Sequence, residues 1–120
     1  MTSVLNVDTI ADKAGTGPVA LTKQAGIKMS VKTSGTYTGT NSDSLNVSGL
    51  VDNATGDVKI NFTNNFSTNN YCTTATAEAA GAKIATYTGE ATSSITYRVH
   101  SDAGADADNN VSGTAAGDLA

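Results

Sequence analysis

The chain carries very few reactive side chains. Cysteine and histidine occur once each, at Cys72 and His100; tryptophan is missing, and Pro18 is the single proline. One cysteine excludes an intrachain disulfide. One cysteine plus one histidine falls short of the four ligands of a closed zinc site. The pair could act as thiol and base only if their strands were brought together. A lone thiol within a strand is ordinarily a small buried packing group. The chain has no glycine-rich phosphate loop, paired-carboxylate motif or nucleophile elbow. The expectation is therefore no catalytic residue, no cofactor and no enzymatic activity.

Positive charge is scarce too. Seven Lys and Arg face eleven Asp and Glu, giving a net charge of −4, and the basic residues are scattered singly. Nucleic-acid binders concentrate Lys and Arg in a patch, so no nucleic-acid partner is expected. No apolar run approaches the roughly 20 residues of a bilayer-spanning helix, and no membrane insertion is expected. Met1-Thr2-Ser3-Val4 lacks the basic and apolar regions of a secretory leader, so synthesis in a cytoplasm is expected. The Asn-x-Ser/Thr triplets at Asn46, Asn53, Asn61, Asn65 and Asn110 should then carry no glycan.

Large aliphatic side chains are few. Leu, Ile, Val and Phe number 5, 5, 9 and 2, below the roughly 20% typical of a globular core. Disorder usually combines that deficit with high net charge, which this chain lacks. A thin core in a short chain is supplemented by disulfides, metal or association. With disulfides excluded, association with other subunits is the expected supplement.

What the chain does have is alternation. Val58, Ile60 and Phe62 alternate with Asp57, Lys59 and Asn61, the two-residue period of a half-buried strand. Leu45, Val47 and Val51 share one parity before them. Asp52-Asn53-Ala54-Thr55-Gly56 is turn chemistry, and Gly56 supplies the positive φ that closes a short loop with a G1-type bulge. Leu45–Phe62 is therefore a β-hairpin. Further strands are expected at Ser3–Ile10, Val19–Thr22, Gly26–Val31, Tyr71–Ala77, Lys83–Tyr87 and Ser93–Val99, with a weak one at Val111–Gly113. Phe66 is expected to tuck inward from its polar loop, and Thr36-Tyr37-Thr38 could form an edge strand. Glu78–Ala82 reads as a loop. Short strands, frequent turns and no convincing helix indicate an all-β protein: a small antiparallel, jelly-roll-like β-sandwich with an extended N-terminal β arm. The expected division is an arm over 1–31, a Gly/Ser/Thr-rich hinge over 32–44, the sandwich over 45–113 and a tail over 114–120.

Two surfaces suggest ligands. The loop Ser101–Asn110 offers oxygen ligands at Asp102, Asp106, Asp108 and Asn110, a weak calcium candidate without EF-hand spacing. Tyr37, Tyr71, Tyr87 and Tyr97 could stack on sugars, although tyrosines in alternating positions more often fill a core with the hydroxyl at its rim.

Val51–Phe62 followed by Asn70-Tyr71-Cys72 resembles a segment of small β domains in bacteriophage tail fibres and related virion proteins. There, an Asp-Asn-x-x-Gly-Asp turn precedes an alternating strand ending in Phe. Ile95-Thr96-Tyr97-Arg98-Val99 and the Asp-rich loop sit where the last strands of such a domain would lie. Ser3–Ile10 with Gly15 and Gly17 resembles the opening of tailed-phage appendage proteins, especially those of marine phages. Such domains finish on an apolar strand, whereas Val111–Ala120 is small and polar. The resemblance implies a non-enzymatic, homotrimeric virion-surface protein made in the host cytoplasm: a short tail fibre or tip, or a head decoration protein. Val4, Leu5, Val7 and Ile10 would attach it to other virion proteins of capsid or tail. The alternative is a carbohydrate- or receptor-binding module for host adsorption, presenting Tyr87, Tyr97 and Asp106 to a host surface glycan.

Overall fold

Alternation of small and large side chains sets the architecture. The structure, a computed structural model, describes residues 25–38, 44–78 and 81–118. Within them lie seven strands: β1 (Ala25–Lys32), β2 (Val47–Ala54), β3 (Asp57–Phe62), β4 (Cys72–Glu78), β5 (Lys83–Ala91), β6 (Ser94–Ser101) and β7 (Asn110–Asp118). They form two antiparallel sheets, ordered β1-β7-β4 and β2-β3-β6-β5. The protein is an all-β sandwich. Among the described residues no helix is long and apolar enough to cross a membrane.

The hairpin at 47–62 is present as β2 and β3. Its loop is Thr55-Gly56, with Gly56 at φ +72°. Register irregularities lie between Val47 and Gly49 and between Asp52 and Ala54, both on the incoming strand. Inward-facing Val58, Ile60 and Phe62 pack with Ile95, Tyr97 and Val99 of β6, all buried. Ile60 pairs directly with Ile95, and Val58 with Tyr97. Complete burial of such side chains contributes about 1.5–3 kcal/mol each. At one end Phe66, tucked inward as expected, stacks on Tyr71 at 4.2 Å, with Phe62 edge-on to Phe66 at 5.1 Å. Lys28 Nζ lies 5.1 Å from the Phe66 ring centre, within cation–π range, and donates to the Asn65 carbonyl at 2.8 Å.

Several boundaries differ from the sequence reading. The strand expected at Gly26–Val31 is β1, but it belongs to the sandwich rather than to an arm. It pairs with β7 along its length and buries Met29 and Val31 in the core. The stretch read as a hinge contributes core as well. Thr33 accepts from the Val111 N–H at 2.8 Å through its hydroxyl, and its own N–H donates to the Val111 carbonyl at 2.8 Å. Tyr37 is buried and left-handed at φ 52°, within a turn and not an edge strand. The largest correction is at the C-terminal end. The residues read as a weak strand and a tail form β7, nine residues long and central in its sheet. Small residues are required there: a Cβ on Gly113 would sit 2.6 Å from Tyr97 Cε2, and one on Gly117 would sit 2.9 Å from Tyr71 Cβ. β5 also runs on past Tyr87, through an irregularity between Tyr87 and Gly89. The expected strands at Ser3–Ile10 and Val19–Thr22, and with them Val4, Leu5, Val7 and Ile10, lie outside the described residues.

Candidate functional site

The two long sides of the sandwich are built differently. On one, a single antiparallel bridge ties β1 to Leu45, two residues ahead of β2. Leu45 N–H donates to the Ser30 carbonyl at 2.8 Å, and Ser30 N–H to the Leu45 carbonyl at 3.2 Å. Asn46, beside it, extends the β2–β3 hairpin. Left-handed at φ 59°, it accepts from the Asn64 N–H at 2.6 Å and donates to the Asn64 carbonyl at 2.9 Å. Asparagine is among the few residues that tolerate this conformation.

On the other side, β4 and β5 are edge strands of opposite sheets, and each has one ladder partner among the described residues. Between them runs a cleft of about 290 Å³ lined by Thr73, Ala75, Ala85, Thr86, Tyr87 and Tyr97. Its geometry follows from side-chain size. Thr73, Ala75 and Ala77 are the inward positions of β4, and Ala85 faces the same core from β5. Such short side chains do not span the gap between the sheets. Tyr87 pairs with Tyr97 and shares its face. Yet Tyr97 is fully buried and Tyr87 is 56% exposed, because only Tyr87 stands at the open edge.

The floor of the cleft is polar only where its hydroxyls are satisfied. Tyr97 Oη hydrogen-bonds Thr73 Oγ1, and Thr73 Oγ1 donates to the Thr114 carbonyl at 3.0 Å. Burial pushes the Tyr97 hydroxyl above its ordinary pKa, against the smaller opposing effect of Thr73. Tyr71 Oη lies 3.0 Å from the Ser94 carbonyl and 3.1 Å from that of Ala91, and burial, with Glu90 adding to it, raises its pKa to about 12. Tyr37 is raised chiefly by burial as well. These phenols are held neutral as packing groups with a satisfied polar tip.

That placement corrects the expected receptor face. Tyr97 is core, and Asp106 is engaged in an ion pair with Arg98 (Nε–Oδ1 2.7 Å) on the outer side of the four-stranded sheet. Of Tyr87, Tyr97 and Asp106, only Tyr87 offers an open ring. The Arg98 hydrogen bond holds the Asp106 carboxyl below the ordinary carboxylate range, and Asp106 correspondingly raises Arg98.

The calcium candidate does not assemble. Asp106 is taken by Arg98, Asp108 accepts from the Gly56 N–H at 2.6 Å, and Asp102 accepts from the Ala103 N–H at 2.9 Å. Among the described residues no group of three His, Cys, Asp or Glu is placed to hold a metal ion. The acidic loop instead works as a strap. Ala107 N–H donates to the Val99 carbonyl at 3.1 Å, and Val99 N–H to the Gly56 carbonyl at 2.7 Å, which ties loop, hairpin turn and β6 together.

Cys72 and His100 are not brought together. Cys72 opens β4, whose outward positions Cys72, Thr74, Thr76 and Glu78 are exposed, so the thiol is not the buried packing group expected. His100 lies on β6, in the other sheet, opposite Ile84. Its Nδ1 is buried with no hydrogen-bond partner. The outer face of the three-stranded sheet aligns Ser30, Thr114 and Thr74 in one row and Lys32, Ser112 and Thr76 in the next. Lys32 pairs with Glu78 at 2.9 Å across that face and, with Asn110, lowers the Glu78 pKa.

The β4–β5 cleft was not visible in the sequence, because strand order decides which strands become edges. The available signal was compositional. β5 has charges only at Lys83 and Glu90, β4 only at Glu78, and neither contains proline. Natural sheet edges are guarded by charges, proline or bulges, and here the guards are those three charges and the β5 irregularity at Tyr87/Gly89. No protein-family model, curated protein or solved structure matches the chain.

Proposed function

We propose that the protein is a non-enzymatic structural subunit that works by association, of the virion-surface kind: a trimeric short fibre or appendage of a tailed phage, joined to its neighbours through its N-terminal arm. One observation carries the associative part of this reading. Two edge strands, each with one ladder partner among the described residues, flank a mostly apolar cleft on one side of the sandwich. Unpaired strand edges are templates for adding a strand from another chain. The exposed Tyr87 adds to the apolar surface available to a neighbour at the cleft, and the small core gives such contacts stabilising work to do. The resemblance of Val51–Phe62 and Ser3–Ile10 to tail-fibre and appendage segments supports the virion setting.

The setting is tested by attaching a visible tag to Cys72, the sole and exposed thiol, and imaging intact particles. The reading expects regularly spaced label on the particle surface. Label confined to free protein would refute the virion role.

A further inference from the structure

We propose that the β4–β5 seam receives the Ser3–Ile10 segment of a neighbouring copy, added antiparallel to the free edge of β5. This rests on the associative reading above and names the contact that produces it.

The seam asks for an extended apolar strand. β5 runs nine residues with one edge unpaired among the described residues. The inward side chains beside it are Ala75, Ala77 and Ala85, which leave room for larger groups contributed from outside. Val4-Leu5-Asn6-Val7-Asp8-Thr9-Ile10 supplies them: Leu5, Val7 and Thr9 fall on one face, and Val4, Asn6, Asp8 and Ile10 on the other. Leu5 and Val7 enter the cleft above Ala85 and beside the Tyr87 ring, while Asn6 and Asp8 face solvent. Main-chain hydrogen bonds then give affinity, and the alternate side chains give register.

Chain length permits the transfer. The fourteen residues 11–24 connect the segment to Ala25, and extended they span up to roughly 45 Å. Ala25 opens β1, which lies across β7 from β4 in the same sheet. A copy donating its segment to the next, and receiving one from the last, makes a head-to-tail contact. Such contacts close into rings when the rotation allows, and every seam in a closed ring is filled.

Paramagnetic broadening in the full chain tests this. A nitroxide is placed on Cys72 of unlabelled protein, which is mixed with ¹⁵N-labelled Cys72→Ser protein carrying no nitroxide. The proposal expects selective loss of the Leu5–Ile10 amide signals in the mixture. It also expects Leu5→Asp to weaken association at least about tenfold while leaving the circular dichroism spectrum unchanged. Broadening only when nitroxide and ¹⁵N share one chain would show a chain filling its own seam and would overturn the exchange. No broadening in a sample that sediments as a trimer would overturn this contact but leave the associative reading standing. No broadening in a monomeric sample would overturn both.

Discussion

Gly113 of β7 lies directly against the ring of Tyr97 from the opposite sheet, so close that a Cβ at Gly113 would sit 2.6 Å from Cε2 and 3.0 Å from the hydroxyl oxygen. The backbone there is packing surface. Gly113→Ala must displace either Tyr97, with its Thr73 bond, or the central strand. Overpacking of this kind costs about 1–3 kcal/mol. A urea titration should show an earlier midpoint, and an unchanged midpoint would contradict the close packing.

Gly56 and Gly104 separate two effects of glycine. Both have positive φ, +72° and +84°, which favours glycine on backbone grounds alone. A Cβ on Gly104 meets nothing within 4 Å, whereas one on Gly56 would sit 2.4 Å from the Val99 carbonyl oxygen. Gly104→Ala should cost about 1–2 kcal/mol, the left-handed penalty. Gly56→Ala should cost clearly more, because it also breaks the strap between hairpin turn and β6. Equal losses in thermal unfolding would refute the steric part.

Thr33 replaces a ladder partner for the start of β7. Its hydroxyl is the acceptor for the buried Val111 N–H. Thr33→Val keeps the shape and orphans that donor, with an expected loss of about 1–3 kcal/mol. Thr33→Ser should recover much of it. Equal stability of the Val variant and the parent in chemical denaturation would show the bond to be dispensable.

The buried phenols set an alkaline limit. Tyr71 is raised from 10.0 to about 12 in the folded chain. A raised folded value means that the neutral form is favoured on folding. Its contribution is fully present below pH 10, the unfolded value, and is lost as pH rises through about 12. Stability measured at several pH values should therefore fall across that window. Tyr71→Phe, less stable at neutral pH for want of its hydrogen bonds, should show a shallower fall. An identical slope would assign the effect elsewhere.

Cys72 should react with a maleimide reagent under native conditions as fast as an exposed thiol does, since the outward face of β4 presents it to solvent. Reaction only after denaturation would place the thiol in a buried position or within a contact.

The hairpin at 47–62 and strands β3 and β6 were legible because large apolar residues alternate there against polar ones. β7 was not, for a physical reason. Gly113, Ala115 and Gly117 are small because Tyr97, Phe66 and Tyr71 press upon that strand or its neighbours, so the hydrophobic signal sits on the partners. Thr33 and Tyr37 were read as hinge because their roles are long-range hydrogen bonds to Val111 and Asn109. The acidic loop read as ligand-rich, but its carboxylates serve Arg98, Gly56 and Ala103 locally. The cleft was hidden entirely, since its walls are alanines whose meaning depends on strand order.

Sedimentation equilibrium of the full chain over a range of concentrations tests the central claim most directly. The proposed trimer predicts a species at three times the 12.0 kDa mass of one chain. A mass of one chain at every concentration would contradict it.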